Sequence, residues 1–379
     1  MKGGIRLGSI SGFEIRIDPS WFVILFLILW SFSAGVFPAQ YPDQESSVYL
    51  LMGLAGALLF FTSIVLHELS HSLVARRKGI PVEGITLFIF GGIAHTRLEA
   101  EKPGDEFVIA GVGPLASLLI AAVLAGVSWL FARLQFTPAA VVTSYLSFLN
   151  VLLAVFNLLP GFPLDGGRLF RSIVWRVTGD LTTATRWATA GGSALGYGLM
   201  AVGALGLISG TGIGGLWLIF IGWFLRNAAV ASLRQHMARS LLEGVAAREM
   251  MTPNPDFVPP NLTLDELVEE HFLRKQHHAF PVVETGRPVG LITLQHVKQV
   301  PREAWVSRRI GEVMRDVADL SVGSRSGMLQ VLEQMQEAEE RRVLVIDDGR
   351  LVGIISASDV AAWLQRREEF DALRREAGA

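Results

Sequence analysis

Long apolar stretches dominate the first 226 residues of the chain and leave few folds open to it. A bilayer core about 30 Å thick is crossed by a helix of about 20 apolar residues. Residues 21–37, 48–75, 107–132 and 141–159 each fit one such span. Residues 187–225 are uncharged throughout. As one helix they would be about 58 Å long, so the Ser-Gly-Thr-Gly turn at 209–212 is predicted to divide them into spans five and six.

Charges in the connecting loops predict the orientation of these spans. Lys and Arg lie before span one and after spans two, four and six, whereas the other loops carry none except Arg133 at the end of span three. The positive-inside rule therefore predicts that both termini are cytoplasmic in the plasma membrane. Residues 1–18 are expected to form a short polar arm. A net charge of −2 gives no argument for nucleic-acid binding.

The second span ends in an H-E-x-x-H pattern that contains His67, Glu68 and His71. On a helix the two histidines share one face, which suits two nitrogen ligands of a zinc ion. Glu68 lies beside them, where it can take a proton from a water molecule. The alternative is a chance match to a loose pattern. Three ionisable groups next to an uncharged run are costly in lipid unless they form a functional site, which favours the metal interpretation.

A catalytic zinc site needs a third protein ligand, and the chain has no cysteine to supply one. Asp165 is the better candidate, since Pro160 and Pro163 end the preceding helix and two following glycines allow close approach of the backbone. His95, in a charged loop, is the weaker candidate. The alternative for Asp165 itself is a solvated side chain at a helix-ending turn.

Two further segments could contact a substrate. Asn157 precedes the break after span four, where its amide could donate to a developing oxyanion or form a helix–helix hydrogen bond. Residues 87–94 are apolar, too short for a spanning helix and interrupted by Gly91 and Gly92, so they are predicted to form a strand or a re-entrant hairpin. A strand edge there could hold an extended substrate by main-chain pairing.

After residue 235 the chain contains an internal repeat with a period of 63 residues. Met251 recurs as Met314, and Gly290 recurs as Gly353. Each copy is predicted to contain a helix (264–274 and 328–338), an apolar strand (279–283 and 342–346), a second strand and a final helix. The resulting division is a membrane domain at 1–240, two repeats at 245–305 and 306–367, and a charged tail at 368–379.

The two metal-site motifs together resemble the site-2 protease family of intramembrane zinc metalloproteases. The resemblance is carried by His67-Glu68-x-x-His71 and by Asn157-x-x-Pro160-x-x-Pro163-Leu164-Asp165-Gly166. It implies one Zn²⁺ per chain bound by His67, His71 and Asp165, with Glu68 as general base and Asn157 near the substrate carbonyl. It also implies that a membrane-associated strand containing Phe90, Gly91, Gly92 and Ile93 pairs with the substrate.

The repeat resembles a tandem pair of CBS domains, which often bind adenine nucleotides such as ATP, ADP or AMP. The resemblance implies nucleotide contacts from Ser356 and Asp359 in the second copy and from Thr293 in the first. In the first copy His296 stands where the family has the ribose-binding Asp. The alternative is a dimerisation module without ligand, in which Asp359 caps a helix.

The expected fold is therefore an α-helical polytopic membrane protein, with six transmembrane helices, short membrane-associated strands and a C-terminal α/β CBS pair. The expected function is cleavage of the transmembrane helix of a single-span membrane protein within the bilayer. The resemblance implies an anti-sigma factor or a membrane-tethered transcription factor as the substrate. One rival is a CBS-gated metal transporter without peptidase activity. A second rival is a zinc peptidase with Glu as its third ligand.

Overall fold

The computed structural model describes residues 4–89, 91–96, 100–210, 212–275 and 277–377. The chain forms two compact units, Met1–Arg234 and Gln235–Ala379. The first contains the apolar helices and one sheet, and the second contains the repeat.

Helices build most of the first unit. In chain order they are α1 (Ser20–Ser31), a π-helical turn (Phe32–Val36), α2 (Phe37–Gln40), α3 (Ser46–Arg77), α4 (Pro103–Arg133), α5 (Thr137–Asn157), α6 (Asp165–Thr178), α7 (Leu181–Ile208) and α8 (Ile213–Leu242). Within the described residues, six helical stretches are long and apolar enough to span a bilayer. They confirm the six predicted spans, and the turn between α7 and α8 contains Gly210 and Gly212, both with positive φ.

The short helix α6 was not predicted, and it is not one of the six spans. It begins at Asp165 and ends at Thr178, and Gly179 after it has a φ of 71°, the left-handed conformation common after helix ends. Its sequence is strongly amphipathic, with Arg168, Arg171 and Arg176 among apolar residues. The loop after span four therefore leads into a short helix that begins at Asp165.

The N-terminal segment is part of a sheet, so the expectation of a polar arm was wrong. Strands β1 (Ile5–Ile10), β2 (Phe13–Ile17), β3 (Val82–Phe88) and β4 (Gly91–Thr96) pair in that order. In β2, buried Phe13, Ile15 and Ile17 alternate with less buried Glu14 and Arg16, which is the period of a strand with one face in a core. The predicted segment 87–94 forms a hairpin of β3 and β4, in which β4 is the outer strand among those described.

The second unit contains two small sheets, each completed by a strand from the other copy of the repeat. The elements before the second copy are α9 (Ala247–Met250), β5 (Thr252–Pro253), α10 (Leu264–Glu266), a π-helical turn (Leu267–Phe272), β6 (Ala279–Glu284), β7 (Arg287–Thr293) and α11 (Leu294–Lys298). The elements of the second copy are β8 (Arg315–Asp316), β9 (Ser321–Val322), α12 (Met328–Glu337), β10 (Arg342–Asp347), β11 (Arg350–Ser356) and α13 (Ala357–Ala377). The sheets have the orders β6-β7-β8 and β5-β11-β10-β9. Because β5 and β8 are exchanged, the two copies fold as one unit.

Candidate metal centre

The two histidines of the H-E-x-x-H pattern lie on one face of α3, as their spacing predicts. Both are buried, with 4% of His67 and 6% of His71 exposed. Their Nε2 atoms are 3.2 Å apart, and their ring centroids are 4.9 Å apart. The two nitrogen atoms therefore face a common point.

Asp165 completes a triangle with these two atoms. Its Oδ2 lies 3.1 Å from Nε2 of His67 and 3.2 Å from Nε2 of His71. Ligand atoms around tetrahedral zinc are about 3.3 Å apart when the bonds to nitrogen and oxygen are about 2.0–2.1 Å long. The three donor atoms and their spacing therefore fit a zinc ion. Two imidazoles and one carboxylate also leave a fourth position open for water or substrate.

Helix α4 fixes the orientation of both imidazole rings. The Nδ1 atom of His71 donates to the carbonyl oxygen of Ile109 at 2.6 Å, and Nδ1 of His67 lies 2.9 Å from the hydroxyl of Ser117. Since a carbonyl only accepts, Nδ1 of His71 carries the proton and its Nε2 lone pair is left for a metal. Such outer contacts orient metal ligands in known sites. Ser117 belongs to no sequence motif and was not predicted.

Gly113 lets α4 approach the metal ligands. A Cβ atom at this position would stand 2.1 Å from Nε2 of His71 and 2.8 Å from Nε2 of His67. Any side chain there would occupy the space between the two donor atoms. Pro114 follows this glycine inside the helix. The Gly-Pro pair is visible in the sequence, but its position against the histidines is visible only in the fold.

The loop before Asp165 is held by close contact between main chains. The amide of Phe162 donates to the carbonyl of Ala188 in α7 at 3.1 Å. A Cβ atom at Gly192 would lie 1.9 Å from the carbonyl oxygen of Phe162, and one at Gly167 would lie 2.3 Å from the carbonyl carbon of Gly161. Neighbouring glycines on α7 thus admit the loop that carries Asp165. The small-residue pair at 191–192 was the available sequence signal.

The two imidazoles favour the ionised form of Asp165. Burial by itself raises its pKa, but the contacts of its carboxyl group with His67 and His71 hold that pKa below its usual range. The carboxylate form, which a metal requires, is therefore the favoured form at neutral pH.

Glu68 and β4 face the same cavity as the metal ligands. The cavity has a volume of about 760 Å³ and is lined mainly by apolar side chains from α1, α3, α5 and α8. Glu68 packs against Gly92, where a Cβ atom would lie 2.5 Å from the glutamate Cγ. The outer strand of the sheet therefore runs directly past the candidate base.

The remaining predicted site residues are only partly accounted for. Asn157 is the last residue of α5 and lines the cavity, but its amide donates to Leu153 in its own helix at 3.0 Å. Gly91 also lines the cavity, whereas Phe90 lies outside the described residues. Ile93 and the alternative ligand His95 belong to β4, and their side chains lie outside the described part of the structure.

In the CBS repeats, the predicted nucleotide residues form helix caps. Thr293 and His296 exchange two hydrogen bonds of 3.3 Å at the start of α11. At the start of α13 the amide of Ser356 donates to Asp359 at 2.8 Å, and the amide of Asp359 donates back to the Ser356 hydroxyl at 3.2 Å. Asp359 is thus the third residue of a reciprocal cap rather than the residue before the helix.

Both CBS copies border a cleft. This cleft, of about 340 Å³, is lined by Thr293 and Lys298 from the first copy and by Glu339, Glu340, Arg341 and Arg342 from the second. Near it, the Nε2 of His296 contacts Glu340 at 2.9 Å. His296 therefore bridges the two copies at the position where a ribose-binding Asp would stand.

Membrane-spanning helices around a histidine–histidine–aspartate triangle, with a glutamate in the same cavity, define a membrane-embedded metallopeptidase. The family model "Peptidase family M50" matches residues 55–141 and 132–199, and the CBS domain model matches residues 247–303 and 310–366. The chain belongs to this family, the site-2 proteases, and is a multi-pass membrane zinc metalloprotease with a CBS pair. The family assignment favours a peptidase over the metal-transporter alternative.

Relatives match along nearly the whole chain. The chain is 35% identical over 366 residues to Rip3 of Mycobacterium tuberculosis, covering 95% of this chain and 93% of that protein. It is 32% identical over 376 residues to zinc metalloprotease MJ0392 of Methanocaldococcus jannaschii, covering 98% and 99%. The solved structure of a site-2 protease from M. jannaschii is 29% identical, with a TM-score of 0.42, and covers 60% of this chain and 94% of that one.

Proposed function

We propose that this chain is an intramembrane endopeptidase in which His67, His71 and Asp165 bind one zinc ion. The observation that carries the proposal is the triangle of donor atoms, with sides of 3.1 to 3.2 Å, inside an apolar cavity. When bound, zinc supplies an acidified water nucleophile and polarises the scissile carbonyl. The substrate is proposed to be the transmembrane helix of another protein.

Glu68 is proposed to be the general acid–base. Its side chain faces the cavity next to the metal ligands, so it can accept a proton from water and later donate it to the leaving amine. Asn157 is proposed to contact the substrate carbonyl from the same cavity, which requires its amide to leave Leu153 when substrate binds.

Strand β4 is proposed to hold the substrate in an extended form. A helix hides its carbonyl groups in its own hydrogen bonds, so the scissile segment must unwind before attack. Gly91 and Gly92 lie at the cavity, and β4 pairs with β3 on one edge, which leaves its other edge without a partner among the described strands. Pairing at that edge would keep an unwound segment beside Glu68.

The test is zinc analysis combined with cleavage of a co-reconstituted single-span substrate. Glu68→Gln should lower cleavage at least about 100-fold with zinc still bound at one per chain. Glu45→Gln is the matched control, since Glu45 is exposed just before the same helix and should leave cleavage unchanged. Unchanged cleavage in the Glu68 variant would refute the mechanism. Full zinc occupancy in Asp165→Asn would favour the alternative of a glutamate ligand.

We further propose that the CBS pair is a nucleotide-responsive regulator, with dimerisation as the competing role. The cations around the cleft beside Thr293 suit phosphate groups, and Ser356 with Asp359 occupies the equivalent position in the second copy. Calorimetry with ATP, ADP and AMP on the full chain tests this. Binding that Asp359→Ala weakens supports nucleotide sensing, whereas no heat with any nucleotide would contradict it.

The orientation and division of the chain are also part of this proposal. We place both termini in the cytoplasm at the plasma membrane, with a membrane domain at 1–240, CBS domains at 245–305 and 306–367, and a tail at 368–379. A single-span anti-sigma factor or membrane-tethered transcription factor is the proposed substrate class. Because the chain has no cysteine, Gln135→Cys should react with an impermeant maleimide in whole cells, and Glu284→Cys only after permeabilisation. The reverse pattern would contradict the orientation.

A further inference from the structure

We propose that the buried ion pair between Glu106 and Arg171 positions Asp165 for metal binding. This inference rests on the proposed zinc site and adds two positioning residues that do not touch the metal. The pair joins α4, which orients the two histidines, to α6, which begins with Asp165.

The ion pair is buried and is made by two hydrogen bonds. Glu106 in the first turn of α4 is 0% exposed, and Arg171 in α6 is 7% exposed. The Nε of Arg171 donates to Oε1 of Glu106 at 2.7 Å, and its Nη2 donates to the same oxygen. Two directed hydrogen bonds between charged groups restrict rotation and sliding of α6 against α4.

Arg171 also contacts the loop that leads to Asp165. Its guanidinium carbon lies 5.0 Å from the centre of the Phe162 ring, within the range of a cation–π contact. One side chain therefore touches both α4 and the loop before the metal ligand. Arg171 is less than two helical turns from Asp165, so a shift of its guanidinium moves the carboxylate as well.

In the first turn of α6, Arg168 adds a longer contact to the same carboxylate, with its Nε 3.9 Å from Oε1 of Glu106. Asp165 is followed by two glycines, which pack through their backbone against residues 158–162. On the other side, α4 contributes Ile109 and Ser117 to the two histidines. The pair thus connects the outer contacts of the histidines with the element that carries the third ligand.

A neighbouring ion pair provides a contrast. Lys78 follows α3 and contacts Asp105 at 2.8 Å, but these side chains are 40% and 30% exposed. Exposed pairs of this kind contribute little, because water and salt screen them. Removing one partner of a buried pair instead leaves the other charge uncompensated. Neutralising Glu106 is therefore expected to weaken zinc binding strongly, and neutralising the adjacent Asp105 is expected to change it little.

The experiment measures zinc affinity of the purified full chain by competition with a chelator. Glu106→Gln should weaken zinc binding about 10- to 100-fold, the usual effect of losing an outer contact. Asp105→Asn is the matched control and should change the affinity less than about twofold. With Co²⁺ in place of zinc, Glu106→Gln should also weaken the visible absorption bands as the carboxylate leaves the metal.

A second variant separates positioning from folding. Glu106→Leu with Arg171→Met removes both charges, which often leaves stability unchanged. The metal-free double variant should unfold at about the wild-type temperature, yet bind zinc at least tenfold more weakly. Wild-type zinc affinity in either folded variant would overturn the inference. A wild-type chain that binds no zinc would instead overturn the proposed function, so the two failures are distinguishable.

Discussion

The two sides of the candidate metal centre are built in different ways. His67 and His71 stand on α3, a continuous helix of 32 residues, and their spacing alone brings them together. Asp165 is the first residue of a short helix, after a loop with two prolines. Its position depends on the main-chain contacts of that loop with α7 and on the contacts of α6 with α4.

This difference teaches where each side should be sensitive to mutation. On the histidine side, local helical geometry sets the spacing and α4 sets the ring orientation. On the aspartate side, packing between distant segments sets the position itself. Substitutions that change backbone packing should therefore damage the aspartate side, whereas the surface of α3 should tolerate change.

The largest effect is expected for Gly192→Ala. The added Cβ would lie 1.9 Å from the carbonyl oxygen of Phe162, so the loop before Asp165 must move. We expect at least about a 100-fold loss of cleavage and substoichiometric zinc, because small misplacements in a catalytic site have effects of this size. Gly198→Ala in the same helix meets no atom within 4 Å and should behave as wild type. Full activity of the Gly192 variant would show that the loop is not fixed by α7.

A smaller effect is expected for Ser117→Ala, on the histidine side. His67 would lose the partner of its Nδ1 atom at 2.9 Å, and its ring would be less well oriented. We expect about tenfold weaker zinc binding in chelator competition, since outer contacts contribute at that level. Ser128→Ala removes a 2.8 Å bond from α4 to Ala140 far from the histidines and serves as the control. Equal affinities for both variants would contradict the orienting role.

The smallest effect is expected for Ser70→Ala. Its hydroxyl donates to the carbonyl of His67 at 2.6 Å within α3. Such a bond adds little to a helix, and Ala favours the helix by about 0.5 kcal/mol. Zinc affinity should change less than about twofold although Ser70 is next to His71. A tenfold loss would mean that α3 alone does not hold the histidine spacing.

Hydrophobic run length was enough to predict the spans, and the spacing of four was enough to place His67 and His71 on one face. Asp165 was selected from its prolines and glycines, and the structure brings it to both histidines. Ser117 could not be selected, and the contacts of Gly113 and Gly192 could not be assigned, because they arise between segments distant in sequence. The alternation of Phe13, Ile15 and Ile17 with charged Glu14 and Arg16 could have identified strand β2 from the sequence.

Substrate pairing at β4, as proposed above, would have a consequence for selectivity. A row of backbone amides and carbonyls recognises any straight polypeptide, whatever its side chains are. Proteins that resist local melting would be spared, and those with weak helical segments would be accessible. Selectivity would then depend on how easily the helix of a target protein unwinds locally, rather than on a particular amino-acid sequence.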